Sequence, residues 1–412
     1  MRIVNARLPA DVAEGRGGLV DITLDGDHIA AVTPAAGTAG DLDAGGGLVL
    51  PAFVDMHTHL DKGHTRDRTP NPDGTFAGAL AAITRDREAF WTADDVATRM
   101  DFSLRTAHAH GTAAIRTHID SVGKQTAISW PVFAEMKARW ANKITLQGVS
   151  LTGIDTMPDD LAPLFDTVTE HGGIVGAVLY KTPDMPQKLR AVMEMAEARD
   201  LDIDFHVDET LDPASDCLAH VAAEAARIGF SGTITCGHCC SLMAMDEVDA
   251  LKTLDAVAAA SIAIVSLPLC NMYLQDRHGA RTPRIRGGTL VHEMAARGIR
   301  VALASDNIRD AFYAYGDLDM VEVVREATRI LHLDHSPLPW LSSVNSVPAA
   351  IMGLPDRDAV APGAPADLVV FTAKSVDDLV TRPQTDRTVI RGGKILEATP
   401  PSFDELFALT RS

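Results

Sequence analysis

Short apolar runs recur through the middle of the chain, each followed by a longer stretch with one apolar face. Leu48–Met56, Thr112–Thr117, Ile144–Ser150, Ile174–Tyr180, Ile203–His206, Gly232–Cys236, Ile262–Leu267 and Val301–Ala304 read as buried strands. The stretches between them carry helix-end signals. Thr92 stands three residues before Asp95, and Gly111 closes that run. Asp212-Pro213 opens a helix that Gly229 can end, and Thr289–Arg297 is amphipathic and stops at Gly298. Strands alternating with helices in this way predict an α/β chain built on a (β/α)8 TIM-like barrel. A doubly wound sheet would carry a Gly-rich phosphate turn after its first strand. This chain has histidines there instead.

The ends of the chain follow a different pattern. Val20–Leu24 alternates, Gly26-Asp27 turns, and His28–Val32 alternates again. Ala366–Phe371 and Arg387–Leu396 are strand-like near the other end. The expected organisation is a small β-sandwich domain formed from residues 1–49 and 350–412, and a catalytic barrel over residues 50–349.

Composition narrows the function. With 412 residues and 46% hydrophobic content, the chain can bury one large core and a smaller one. A net charge of −19 argues against nucleic acid and against an anionic membrane surface. No apolar run approaches the ~18 residues of a membrane span, and neither a span nor a signal peptide is expected. Five cysteines without a pairing framework suit a reducing, cytoplasmic compartment.

In such a barrel the strand C-termini carry the active site. Here they end in His57 and His59, in His118 and Asp120, in His206 with Glu209, in His238, and in Asp306-Asn307. Alternate residues of a strand face the same side, so His57 and His59 converge. His57, His59, His206 and Asp306 can supply three nitrogens and one oxygen to a divalent ion. Such an ion lowers the pKa of a bound water. Glu209 is placed to move protons between that water and a leaving group. His238 can polarise the attacking oxygen or hold the substrate. His118 and Asp120 either orient a ligand from behind or are satisfied polar residues. Competing readings make Glu209 a helix N-terminal carboxylate and Asp306 a helix cap. They also place His238 in a separate zinc site with Cys236, Cys239 and Cys240, whose spacing is too tight for one ion.

The chain resembles the amidohydrolase superfamily, specifically its cytosine deaminase-like branch. The resemblance covers nearly its whole length. It rests on His57-Thr-His59-Leu-Asp, Arg116-Thr-His118-Ile-Asp120, His206-Val-Asp-Glu209, His238, Asn271-Met-Tyr-Leu-Gln-Asp-Arg277, Pro283-Arg-Ile-Arg-Gly287 and Ser305-Asp306. It implies one Zn²⁺ or Fe²⁺ per chain on His57, His59, His206 and Asp306, with Glu209 as proton shuttle and His238 activating hydroxide. Glu209, His238 and Asp306 are thus the expected catalytic residues. The implied reaction replaces an exocyclic amino group on a small nitrogen heterocycle, a pyrimidine, triazine or related cyclic amidine. Homo-oligomers are common among relatives.

Two departures bear on the substrate. Relatives acting on cytosine place a glutamine on the strand-three loop to read the ring's amide edge. Here Gln147–Ile154 has none at the matching place, which leaves Leu151 as the expected contact. Asn307 replaces a second Asp and both donates and accepts. Phe312 falls where relatives cover the ring, and Gln275 is expected to face the pocket. The polar segment Lys62–Thr75 is long for a βα loop, and its Arg66 and Arg68 are expected to cover the pocket. Two rival readings remain. One is a binuclear cyclic amidase or N-acyl amidohydrolase with a carboxylated Lys181, and the other is a non-catalytic metal-binding barrel.

Overall fold

Strands β1 (Arg2–Ala6), β2 (Val20–Asp25), β3 (His28–Pro34) and β4 (Leu42–Asp43) form one sheet in the order β3-β2-β1-β4. The expected hairpin is present, with Asp25 opposite His28 across Gly26-Asp27. The computed structural model describes residues 1–9, 18–336, 338–355, 357 and 359–410.

The apolar run Leu48–Met56 is two strands in two sheets. β5 (Val49–Pro51) pairs with a strand from the far end of the chain, whereas β6 (Phe53–Thr58) opens the barrel. The change of sheet falls at Ala52, whose N–H goes to Asp367 O at 2.9 Å, just after Pro51, which has no N–H to give. An apolar run alone does not reveal such a hand-over.

The barrel continues through β7 (Thr112–Asp120), β8 (Thr145–Leu151), β9 (Val178–Leu179), β10 (Ile203–Val207), β11 (Ile234–His238), β12 (Ala263–Ser266) and β13 (Val301–Leu303), all neighbours parallel. Single bridges Val149–Ile174 and Thr58–Asp306 close the ring. β9 is shorter than the predicted Ile174–Tyr180. Beside it, Ser150 Oγ accepts from Gly176 N at 3.0 Å and donates to Gly176 O at 3.2 Å, in place of ladder bonds.

Three more strands, β14 (Leu368–Val370), β15 (Thr388–Arg391) and β16 (Lys394–Ile395), join β5 in the order β16-β15-β14-β5. Ile3, Ile22 and Ile29 of the first sheet share a buried cluster with Val49, Leu368 and Ile390 of the second. The two sheets thus face each other as a sandwich built from both chain ends.

Helix ends follow the side chains that satisfy them. Thr92 Oγ1 accepts from Asp95 N at 3.2 Å, and Gly111 ends the helix Ala93–His110 at φ +96°, where L-residues are disfavoured. The helix expected to open at Asp212 begins instead at Cys217. The Asp208 carboxylate accepts from Cys217 N at 3.1 Å and Leu218 N at 3.0 Å, and so moves the start. The helix expected over Thr289–Arg297 spans only Val291–Ala296. Thr289 is drawn off it by a 2.8 Å bond to Cys239 O. Among the described residues, no helix is long and apolar enough to cross a membrane.

Candidate active site

His57 lies in β6, with His59 just beyond it, His206 in β10, and Asp306 just after β13. His206 Nε2 is 3.2 Å from both His57 Nε2 and His59 Nε2. Asp306 Oδ1 is 3.2 Å from His59 Nε2 and 3.6 Å from His57 Nε2. Ligand atoms of all four residues lie within 4.8 Å of one another. Backbone contacts impose this convergence. Asp306 N–H donates to His57 O at 2.9 Å, and Asp306 takes a left-handed φ of +65°. Gly237 leaves room for the His57 ring: a Cβ there would stand 2.9 Å from Cε1.

Burial foremost pushes the pKa values of His57, His59 and His206 well below the ordinary value. Burial thus favours the neutral rings, and their Nε2 atoms face one another. Among the described residues, the Asp306 carboxylate oxygens find no hydrogen-bond partner beyond the weak donor of the Cys270 thiol. Burial raises that carboxyl to about 7. Converging ring nitrogens beside a buried carboxylate with so weak a donor are unfavourable alone and fit a bound cation. Three imidazoles and a carboxylate suit a divalent ion of zinc or iron type.

A cavity of about 300 Å³ opens over these groups, and His59, His206, Glu209 and His238 all reach its wall. Burial first, then the Asp306 charge, raises the Glu209 carboxyl well above its usual range. His238 is neutral, its pKa lowered to about 3 by burial. Its Nδ1 stands 2.9 Å from Asn271 Nδ2, and the same amide nitrogen donates to Glu209 Oε1 at 3.4 Å. With its nitrogen turned toward both groups, the Asn271 amide donates to His238 Nδ1 as well. His238 Nδ1 therefore accepts, and the ring's proton sits on Nε2, which has no partner among the described residues.

The other expected residues divide. Leu151, Asn307 and Phe312 line the cavity. Gln275 is not part of its wall; its amide donates to the Glu209 carbonyl at 3.3 Å. His118 Nε2 stands 3.1 Å from His57 Nδ1, behind a converging ring. Asp120 is elsewhere: it faces the cavity, 2.9 Å from Lys62 Nζ and 2.8 Å from Arg87 Nη1. Arg68 does not reach the cavity. Its guanidinium is held by Asp86 and Asp95, and Arg66 lies over the Tyr315 ring. Lys181 pairs with Asp216 at 3.0 Å, and its side chain is half exposed. Its amine is taken up by Asp216 and the Ala214 carbonyl, and it is not part of the wall of the cavity that His59 and His206 line, so the geometry gives a carboxylated-lysine site no support. All five cysteines are buried and free.

Residue-by-residue reading missed Lys62, Arg87, Asn271 and Asp204. Lys62 opens the polar segment Lys62–Thr75, and Asn271 opens the motif Asn271–Arg277 quoted above. Arg87 and Asp204 carry no local signal, because only the fold brings them to Asp120 and Arg116.

Residues 164–397 match the amidohydrolase family. A pterin deaminase from Rhizobium rhizogenes is 50% identical over 98% of this chain and 95% of its own.

The chain belongs to the amidohydrolase family.

Among its relatives, an N-isopropylammelide isopropyl amidohydrolase from a Pseudomonas species is 27% identical over 91% of this chain and 93% of its own. A 5-methylcytosine deaminase from Klebsiella pneumoniae superposes with a TM-score of 0.86 at 26% identity, covering 98% of each chain.

Proposed function

We propose that this amidohydrolase is a metal-dependent hydrolytic deaminase acting on a pterin-type ring, a 2-amino-4-oxopteridine, with one Zn²⁺ or Fe²⁺ per chain. The convergence of His57, His59, His206 and Asp306 beneath a cavity that also presents Glu209 and His238 carries this reading. The 50% identical relative favours the pterin-type ring over a single pyrimidine. So does the loss of the glutamine expected of cytosine readers: Gln147 Oε1 accepts from Arg116, and its amide donates to Met352 O at 2.8 Å.

A divalent ion on the four donors supplies Lewis acidity that brings a water toward ionisation near neutral pH. Glu209 takes the proton from the attacking water and delivers it to the leaving nitrogen. His238 Nε2–H donates to the oxygen at the attacked carbon. Phe312, Leu151 and Val178 form an apolar wall that excludes water from a flat ring. Five buried free thiols fit the cytoplasmic setting proposed for it.

The test is ammonia release by the purified holoenzyme from pterin, cytosine and aminotriazines, with metal counted per chain. Turnover of pterin with one ion per chain is expected. Release from none of these rings, or two ions per chain with hydrolysis of a cyclic imide, would overturn the reading.

A further inference from the structure

We propose that Lys62 binds the oxo oxygen of the substrate ring. The enzyme would thereby select rings in which a carbonyl stands one nitrogen away from the amino-bearing carbon. This rests on the deaminase reading above and names the feature of the ring that the site recognises.

Lys62 follows the His57-x-His59 motif by three residues, and the turn after β6 brings its side chain back into the cavity wall. The ammonium is almost fully buried. A buried ammonium is costly unless paired, and a buried pair is by itself poor evidence of a stabilising role. Lys62 Nζ is 2.9 Å from Asp120 Oδ1, while Arg87 Nη1 is 2.8 Å from Asp120 Oδ2. The trio lines the same cavity and carries one net positive charge. Burial alone would lower the Lys62 pKa, but Asp120 and Asp61 outweigh it and keep the group cationic.

An ammonium has three N–H donors. Asp120 is its one ion-pair partner among the described residues. Nζ also stands 5.5 Å from the centroid of Phe312, the aromatic that lines the ring-sized cavity. A donor is thus fixed beside the position of a flat ring. The Asn307 amide, which also lines the cavity, is already engaged: it donates to Asp310 Oδ2 at 2.7 Å. Leu151 and Thr152 occupy the wall where a glutamine was expected.

The chemistry gives such a cation a use. In pterin, as in cytosine, the amino-bearing carbon, a ring nitrogen and a carbonyl follow one another. When water adds, a C–O bond forms and the C=N π bond breaks. The electron pair moves onto the nitrogen of that bond, N3 in cytosine and N1 in the 3H form of pterin, and is shared with the carbonyl oxygen, directly in cytosine and through the C8a=C4a bond in pterin. The water's proton passes through Glu209 to the amino nitrogen, the C–N bond breaks, ammonia leaves and the ring double bond is restored. A cation on that oxygen binds the charged stage more strongly than the ground state.

The test compares pterin with 2-aminopteridine, which lacks the oxo oxygen, using wild-type and Lys62→Met holoenzymes. Metal content and melting temperature are measured alongside. Wild type should prefer pterin by about 100-fold or more in kcat/KM. Lys62→Met should lose about 100-fold on pterin and far less on 2-aminopteridine, with metal retained. Equal losses on both rings, or an unchanged preference, would overturn the role of Lys62. A wild type without preference for the oxo ring overturns it whether or not the variant folds. Ammonia release from neither ring would instead sink the deaminase reading itself.

Discussion

His118 Nε2 stands 3.1 Å from His57 Nδ1, a direct contact between two fully buried imidazoles from adjacent strands. If His57 uses Nε2 as a ligand, its one proton sits on Nδ1 and is donated to His118. Asp204 Oδ1 lies 3.9 Å from the same His118 Nε2, and Asp204 Oδ2 is held by Arg116 at 2.7 Å. The contact sets both the tautomer and the tilt of His57. His118→Ala should weaken metal binding by about 10–100-fold, and His118→Gln, still an acceptor, should restore most of it. Chelator competition measures this; equal affinity in the alanine variant would remove His118 from the site.

Glu209 separates metal binding from catalysis. It is not among the four converging donors, yet it faces the cavity. Glu209→Gln should keep a full complement of metal and lose at least about 10²–10⁴-fold in kcat. Metal analysis with steady-state kinetics decides it: turnover near wild type would assign the proton transfers elsewhere.

Arg68 is a fastener rather than a substrate contact. It bridges Asp86 and Asp95, and Asp86 also accepts from Trp91 Nε1 at 2.7 Å and Thr69 Oγ1 at 2.6 Å. Removing one member of a buried network leaves uncompensated charge, so Arg68→Ala should cost about 3–5 kcal/mol of stability. Its KM should stay close to wild type. Denaturant titration and kinetics check both; a raised KM at unchanged stability would return Arg68 to the pocket.

Asp319 and Arg387 join the barrel to the C-terminal strands through two bonds of 2.7 and 2.6 Å. Burial alone would raise the Asp319 carboxyl; Arg387 outweighs it and holds the pKa below the usual range. A depressed folded pKa means that the contribution is fully present above the unfolded value, about 3.9, and is lost as pH falls through the folded one. The stability difference between wild type and Asp319→Asn should therefore be flat near neutral pH and shrink below about pH 4. Urea titrations across pH 3–8 report it; a gap that widens on acidification would reverse the assignment.

Local pattern alone marked the barrel and the histidines and Asp306 at its mouth. Strand runs and strand-end histidines are local signals, and the ends of β6, β10 and β13 bring His57, His59, His206 and Asp306 together where the pattern places them. It also marked Glu209 and His238. The hand-over of Leu48–Met56 between two sheets, the late start of the helix at Cys217 and the pairing of Asp120 with Lys62 and Arg87 were decided only by tertiary structure. Each depends on which distant group meets a buried charge or an open backbone bond. That partner comes from elsewhere in the chain and leaves no periodicity at the residue it satisfies. The converging histidines were thus legible residue by residue, whereas the polar wall of Lys62, Asp120 and Arg87 required the fold.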